Sequence, residues 1–187
     1  STLFPYTTLF RSRSNEGKCR FAVLDIDCYD KRTKKMLQFI QEFNLPLLPF
    51  RSKSGGLHVY VFFTKAVTAR SARDTLKDIV YFFSLEDIYG KGKVEIFPKQ
   101  ESLKEGGFGS CVTLPYFNAE EPYTYLLDSD GNKVDFKEAI NYIQKHQTSL
   151  ETIKEALENL PFSDAPPCIQ RQLVAELVGS DDSGRNN

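Results

Sequence analysis

Phe21-Ala22-Val23-Leu24-Asp25-Ile26-Asp27 is a short run of strand-forming residues that ends in two carboxylates one residue apart. Side chains alternate across a strand, so Asp25 and Asp27 share one face while Ala22, Leu24 and Ile26 share the other. Two neighbouring acids repel each other. A divalent cation between them relieves the repulsion, and hard cations such as Mg2+ and Mn2+ select carboxylate oxygens. The plain alternative is a pair of solvated acids where a strand runs out into its loop.

The neighbouring segments decide how this strand is placed. Residues 30–43 carry Met36, Leu37, Phe39, Ile40 and Phe43 at helical spacing, with Lys31, Arg32, Lys34 and Lys35 on the wet side. Pro46 and Pro49 bracket Leu47 and Leu48 in a short second strand that leads to Arg51, and the prolines suit a sheet edge. Ser52-Lys53-Ser54-Gly55-Gly56 is a flexible turn before a third strand at 57–63, where His58, Tyr60 and Phe62 share a face. A second helix within 68–85 follows from Ala72, Leu76, Ile79, Val80 and Phe83, with Thr68 as its N-cap. Residues 93–97 make a fourth strand, which Pro98 stops.

The resulting order, β-α-β-β-α-β, is the split pattern of ferredoxin-like and RNA-recognition-like α+β sheets, in which both helices cover one face. The strands of that topology lie in the order 4-1-3-2. Asp25 and Asp27 are then flanked by Glu95 on one side and His58 on the other. Parity agrees independently, since Leu24, Ile26, Val59, Val61, Val94 and Ile96 fall on the helix-covered side.

Beyond the fourth strand the pattern is less regular. A loop at 106–109, strands at 111–115 and 123–127, and the turn Asp128-Ser129-Asp130-Gly131-Asn132 predict an added sheet or hairpin. Helices are expected at 136–146, at 150–160 with the capping-box spacing of Thr148 and Glu151, and at 169–178 after Pro166-Pro167. Residues 163–167 read as a domain joint. Residues 2–12 resemble a translated sequencing adapter, so the expected organisation is a leading segment at 1–14 and a catalytic domain at 15–160. A linker and the truncated start of a helical accessory domain follow at 161–187.

A chain of 187 residues, 41% hydrophobic and 26% charged, has the makings of one ordinary globular domain. Its net charge of -1 means that any nucleic-acid contact must come from a local basic patch. Cys19, Cys28, Cys111 and Cys168 are widely spaced, with no C-x-x-C pair and no nearby histidine, and are expected as reduced thiols in the cytoplasm. No apolar run is long enough to cross a bilayer, and no membrane partner is expected.

Three carboxylates facing one point are what two-metal phosphoryl or nucleotidyl transfer needs. Asp25, Asp27 and Glu95 are the candidates, as catalytic groups and as ligands of Mg2+ or Mn2+. His58 is a candidate donor to phosphate oxygens. Gly55 and Gly56 let backbone N–H groups approach phosphates closely. Arg51, Lys53 and Lys99 flank the same strand ends as candidate phosphate contacts. Each has a bland counterpart: Glu95 as a surface acid, His58 as a structural histidine, the glycines as a mere turn, the cations as solvated loop residues. Tyr60, Phe62 and Phe97 either stack on a base or pack in a core, and the core is the default.

The segments from Phe21 to Asp27, from Arg51 to Tyr60 and from Val94 to Gln100 resemble the three motifs of the archaeo-eukaryotic primase superfamily, and most of all its TOTE conflict system branch. The resemblance covers residues 19–118. It implies an RNA-recognition-like catalytic core, a divalent-metal site held by Asp25, Asp27 and Glu95, and His58 on the incoming nucleotide's phosphates with Ser54 assisting. Many relatives have serine two residues before the motif histidine, where this chain has Gly56. The cysteine pattern makes no zinc knuckle, and residues 166–187 are similar to the start of the helical accessory region.

The expected function is that of a DNA primase-polymerase catalytic domain, a nucleotidyltransferase acting on nucleoside triphosphates along a single-stranded DNA template. Helicase or nuclease modules would accompany it in a longer protein. The alternatives are a non-catalytic single-strand-binding module, a replication-initiator nickase, and a nucleotide cyclase or related phosphotransferase. The first calls for stacking aromatics on the central strands, the second for paired histidines, and the third for independence from a template.

Overall fold

The computed structural model describes residues 17–29, 32–100, 112–113, 115–116, 122–165, 170, 172–174 and 176. In chain order the elements are β1 (Lys18–Ile26), α1 (Thr33–Glu42), β2 (Leu48–Arg51), β3 (Leu57–Thr68), α2 (Ala69–Phe82) and α3 (Leu85–Tyr89). They continue with β4 (Val94–Phe97), β5 (Tyr125–Leu126), α4 (Phe136–Lys145) and α5 (Leu150–Glu158). The five strands form one antiparallel sheet in the order β4-β1-β3-β2-β5.

Strand alternation builds two cores from one sheet. Leu24, Ile26, Val59 and Val61 pack with Met36, Leu37 and Phe39 of α1 and with Ala72, Leu76 and Ile79 of α2, and Val94 and Ile96 lie against them. On the opposite face Phe21, Val23, Phe50, Tyr60, Phe62 and Phe97 meet Tyr116 and Ala139, with Phe136 and Ile143 packed alongside. Tyr60 and Phe62 stack with ring centroids 5.4 Å apart. The core reading of Tyr60, Phe62 and Phe97 is therefore the one the structure bears out. Where β1 reaches Asp25 and Asp27 this second face turns polar.

Several local expectations shift for identifiable reasons. Thr68 caps α2 as expected, accepting the Ser71 N–H at 3.0 Å. The helix stops at Phe82, however, because Ser84 adopts a left-handed φ of 48°, and the apolar positions beyond it belong to the separate turn α3. The N-cap of α5 is Ser149, which accepts the Thr152 N–H at 3.1 Å, and not Thr148. Thr148 is drawn away by β3: its N–H donates to the Phe62 carbonyl at 2.8 Å.

β2 is not a sheet edge, because β5 pairs beyond it through Phe50–Leu126 and Arg51–Tyr125. Pro49 has no N–H to give, but its carbonyl accepts from Leu127 at 2.9 Å. The strand expected at 111–115 is absent at the described positions Val112, Thr113 and Pro115. The leading segment 1–14, the loop at 106–109, Cys111, Leu114 and Cys168 lie outside the described residues.

Cys19 and Cys28 are buried. Gln170, Gln172, Leu173, Val174 and Glu176 are helical. Phe162 and Val174 are buried in the same core as β1 and α2. Among the described residues no helix is long and apolar enough to cross a membrane.

Candidate active site

Antiparallel pairing puts Asp25 opposite His58 of β3 on one side and opposite Glu95 of β4 on the other. Directly paired residues have their Cβ atoms about 4.5–5.5 Å apart. The three side chains thus form a row across β3, β1 and β4. Asp27 follows two positions along the same face, its N–H bonded to the Lys93 carbonyl at 2.9 Å.

Within the row, His58 Nε2 lies 3.3 Å from Asp25 Oδ1. His58 is only 6% exposed, and its Nδ1 is buried with no hydrogen-bond partner among the described residues. An unsatisfied buried polar atom costs about 1–3 kcal/mol, an expense a folded chain seldom bears without a use for the group. Burial, with the Asp25 carboxylate adding to it, pushes the Tyr60 hydroxyl well above the ordinary tyrosine pKa. Tyr60 stays a neutral donor, to the Thr113 carbonyl at 3.3 Å.

The other two acids hold partners of their own. Glu95 Oε2 is 2.7 Å from Lys99 Nζ, and that ammonium also sits 4.9 Å above the centre of the Phe97 ring. Asp27 Oδ1 accepts from the Tyr29 hydroxyl at 3.0 Å. As the side chains stand, no three His, Cys, Asp or Glu residues among those described are gathered closely enough to hold a metal ion.

The β2–β3 turn closes against this row. The Ser52 carbonyl accepts from Gly55, and the Ser52 N–H donates to Gly56, both at 3.0 Å. Gly55 has φ 92°, a conformation that costs glycine nothing. At Gly56 a Cβ would stand 2.7 Å from the Ile26 carbonyl oxygen and 3.2 Å from Ser52 Oγ. No side chain fits there, so the end of β1 and the turn touch through backbone. The Arg51 guanidinium folds over Gly55, 3.3 Å from where its Cβ would be. Lys53 leaves the row and lies 5.7 Å over the ring of Tyr123.

The family model for the archaeo-eukaryotic primase domain of TOTE conflict systems matches residues 8–156. The chain belongs to this primase family. No curated protein matches the chain. The matched span of the primase domain takes in the whole row and the whole turn.

Two residues of the primase domain that sequence reasoning passes over belong to this site. Ser52 is buried, and its hydroxyl shares a hydrogen bond with Ser54 Oγ at 3.2 Å, filling the space that a side chain at Gly56 would claim. Tyr29 is 57% exposed, yet its ring edge comes within 3.5 Å of the Gly56 Cβ position. The available signal is an aromatic two residues beyond Asp27 that no strand or helix period requires.

Proposed function

We propose that this primase-like nucleotidyltransferase domain joins nucleoside triphosphates along a single-stranded DNA template, with Asp25, Asp27 and Glu95 holding Mg2+ or Mn2+. The observation that carries the reading is the row of His58, Asp25 and Glu95 across three strands, with Asp27 next along the face. The donor set is all carboxylate oxygen, which suits hard divalent cations. Asp27 and Glu95 are both exposed, so bringing them to a cation beside Asp25 takes side-chain rotation and leaves the sheet unmoved. When bound, the cations would neutralise the triphosphate and stabilise charge on the attacking and leaving oxygens.

The chain's own groups supply the rest. His58 holds Asp25 in place through Nε2, and when Asp25 exchanges it for a cation that N–H becomes a donor for a phosphate oxygen. Arg51 sets a positive charge beside Gly55, and Ser54 presents an exposed hydroxyl on the same turn. Lys99 is released to the phosphates when Glu95 exchanges it for a cation. The strand order, with α1 and α2 on one face, supports an RNA-recognition-like description of the sheet. Helicase or nuclease modules in a longer protein and a cytoplasmic site of action go with this reading.

A strand-binding module would stack bases on the central strands, but Phe21, Tyr60 and Phe62 are buried in the second core. A nickase would pair two histidines, whereas the residue after His58 is Val59, on the other face. The test is primer extension on single-stranded DNA with Mn2+ and nucleoside triphosphates. An Asp25→Ala, Asp27→Ala double variant should lose on the order of 100-fold or more of the wild-type rate. Equal extension by both proteins would contradict the reading, and product formed without template would point to a cyclase-like activity.

A further inference from the structure

We propose that Tyr29 is a positioning residue of this site, its hydroxyl fixing Asp27 for a divalent cation and its ring walling the glycine turn. The inference rests on the functional reading above and adds a residue to it. Three observations converge on this side chain. Its hydroxyl donates to one oxygen of Asp27 at 3.0 Å, which sets the carboxylate's orientation and leaves the second oxygen uncommitted by that bond. Its ring lies 3.8 Å from the Gly55 Cβ position and 3.5 Å from that of Gly56, so it packs along both glycines of the turn. It is 57% exposed, so burial of apolar surface is a small return for a tyrosine at this place.

One side chain therefore ties the acid at the end of β1 to the turn between β2 and β3. Those are the two parts that must hold cation and triphosphate in fixed relation. A carboxylate ligand whose orientation is set by a neighbouring hydrogen bond loses about 10–100-fold in metal affinity when that bond is removed. The ring acts separately: without it, the glycine turn has solvent where it now has a wall. The hydroxyl and the ring should accordingly affect different quantities.

The experiment titrates Mn2+ into the 187-residue chain without nucleotide, following the free-ion electron paramagnetic resonance signal, and measures KM for nucleoside triphosphate in primer extension. Tyr29→Phe keeps the ring and should weaken Mn2+ binding about tenfold, leave KM within about twofold, and leave the thermal midpoint unchanged. Tyr29→Ala should weaken Mn2+ binding equally and raise KM as well. Mn2+ binding by Tyr29→Phe within about twofold of a wild type that does bind Mn2+ would overturn this inference alone. A wild-type chain that binds no Mn2+ would overturn the functional reading, and this inference with it.

Discussion

At the scale of single residues, the site is shaped as much by what is missing as by what is present. Gly56 has no side chain because the Ile26 carbonyl stands 2.7 Å from where a Cβ would be, and the obstacle is backbone, which cannot step aside cheaply. Gly56→Ala should push the turn away from β1 and cost about 1–3 kcal/mol, read as a lower midpoint in urea unfolding. An unchanged midpoint would show that the turn does not press on β1. Ser52 Oγ, from the start of the same turn, stands 3.2 Å from that Cβ position and fills part of the space. Asp25, Asp27, His58 and Glu95 were legible in the sequence because strand parity alone places them on one face. Ser52 and Tyr29 were not, since their roles come from contacts between β1 and a turn far along the chain.

At the scale of elements, turn chemistry was easier to read than element ends. The turn after β5 is held by Asp128, which accepts the backbone N–H groups of Asn132 at 2.7 Å and Asp130 at 3.0 Å, and the Asn132 side-chain amide at 3.2 Å. These bonds, the Asn132 N–H foremost, hold the Asp128 carboxyl below its ordinary pKa of 3.8. The folded-state value lies below the unfolded one. The contribution to stability is therefore complete above pH 3.8 and is lost as pH falls through the folded value. Asp128→Ala should melt below wild type at neutral pH, with the gap closing in acid; a gap that stayed constant into acid would contradict this. Element ends were harder, for physical reasons. Leu85 and Tyr89 continue the apolar pattern of α2 although Ser84 breaks the backbone, and Pro49 reads as an edge residue although its carbonyl still bonds the N–H of Leu127, next after β5.

At the scale of the molecule, one sheet serves two cores and leaves a polar end. The second core, packed by α4 and Tyr116, covers the aromatic stretch of β1 and β3 and stops where Asp25 begins. Phe162 and Val174 extend the first core past the family's matched span of 8–156, so the helical residues that follow α5 support the same sheet that presents the acids. Hydrophobic patterning made the first core readable, because α1 and α2, which cover much of it, are amphipathic. The second depends on Tyr116 and α4 folding back over β3, which no local pattern announces. The central claim is that the polar end of this sheet is a cation-dependent nucleotide site. Its most direct test is a crystal structure of the chain with Mn2+ and a non-hydrolysable nucleoside triphosphate, read by anomalous scattering. The expected result is an Mn2+ peak coordinated by Asp25 and Asp27, Glu95 turned from Lys99 toward it, and the triphosphate along Gly55, Gly56 and His58. Mn2+ bound elsewhere, with Asp25 still on His58 and Glu95 still on Lys99, would contradict it.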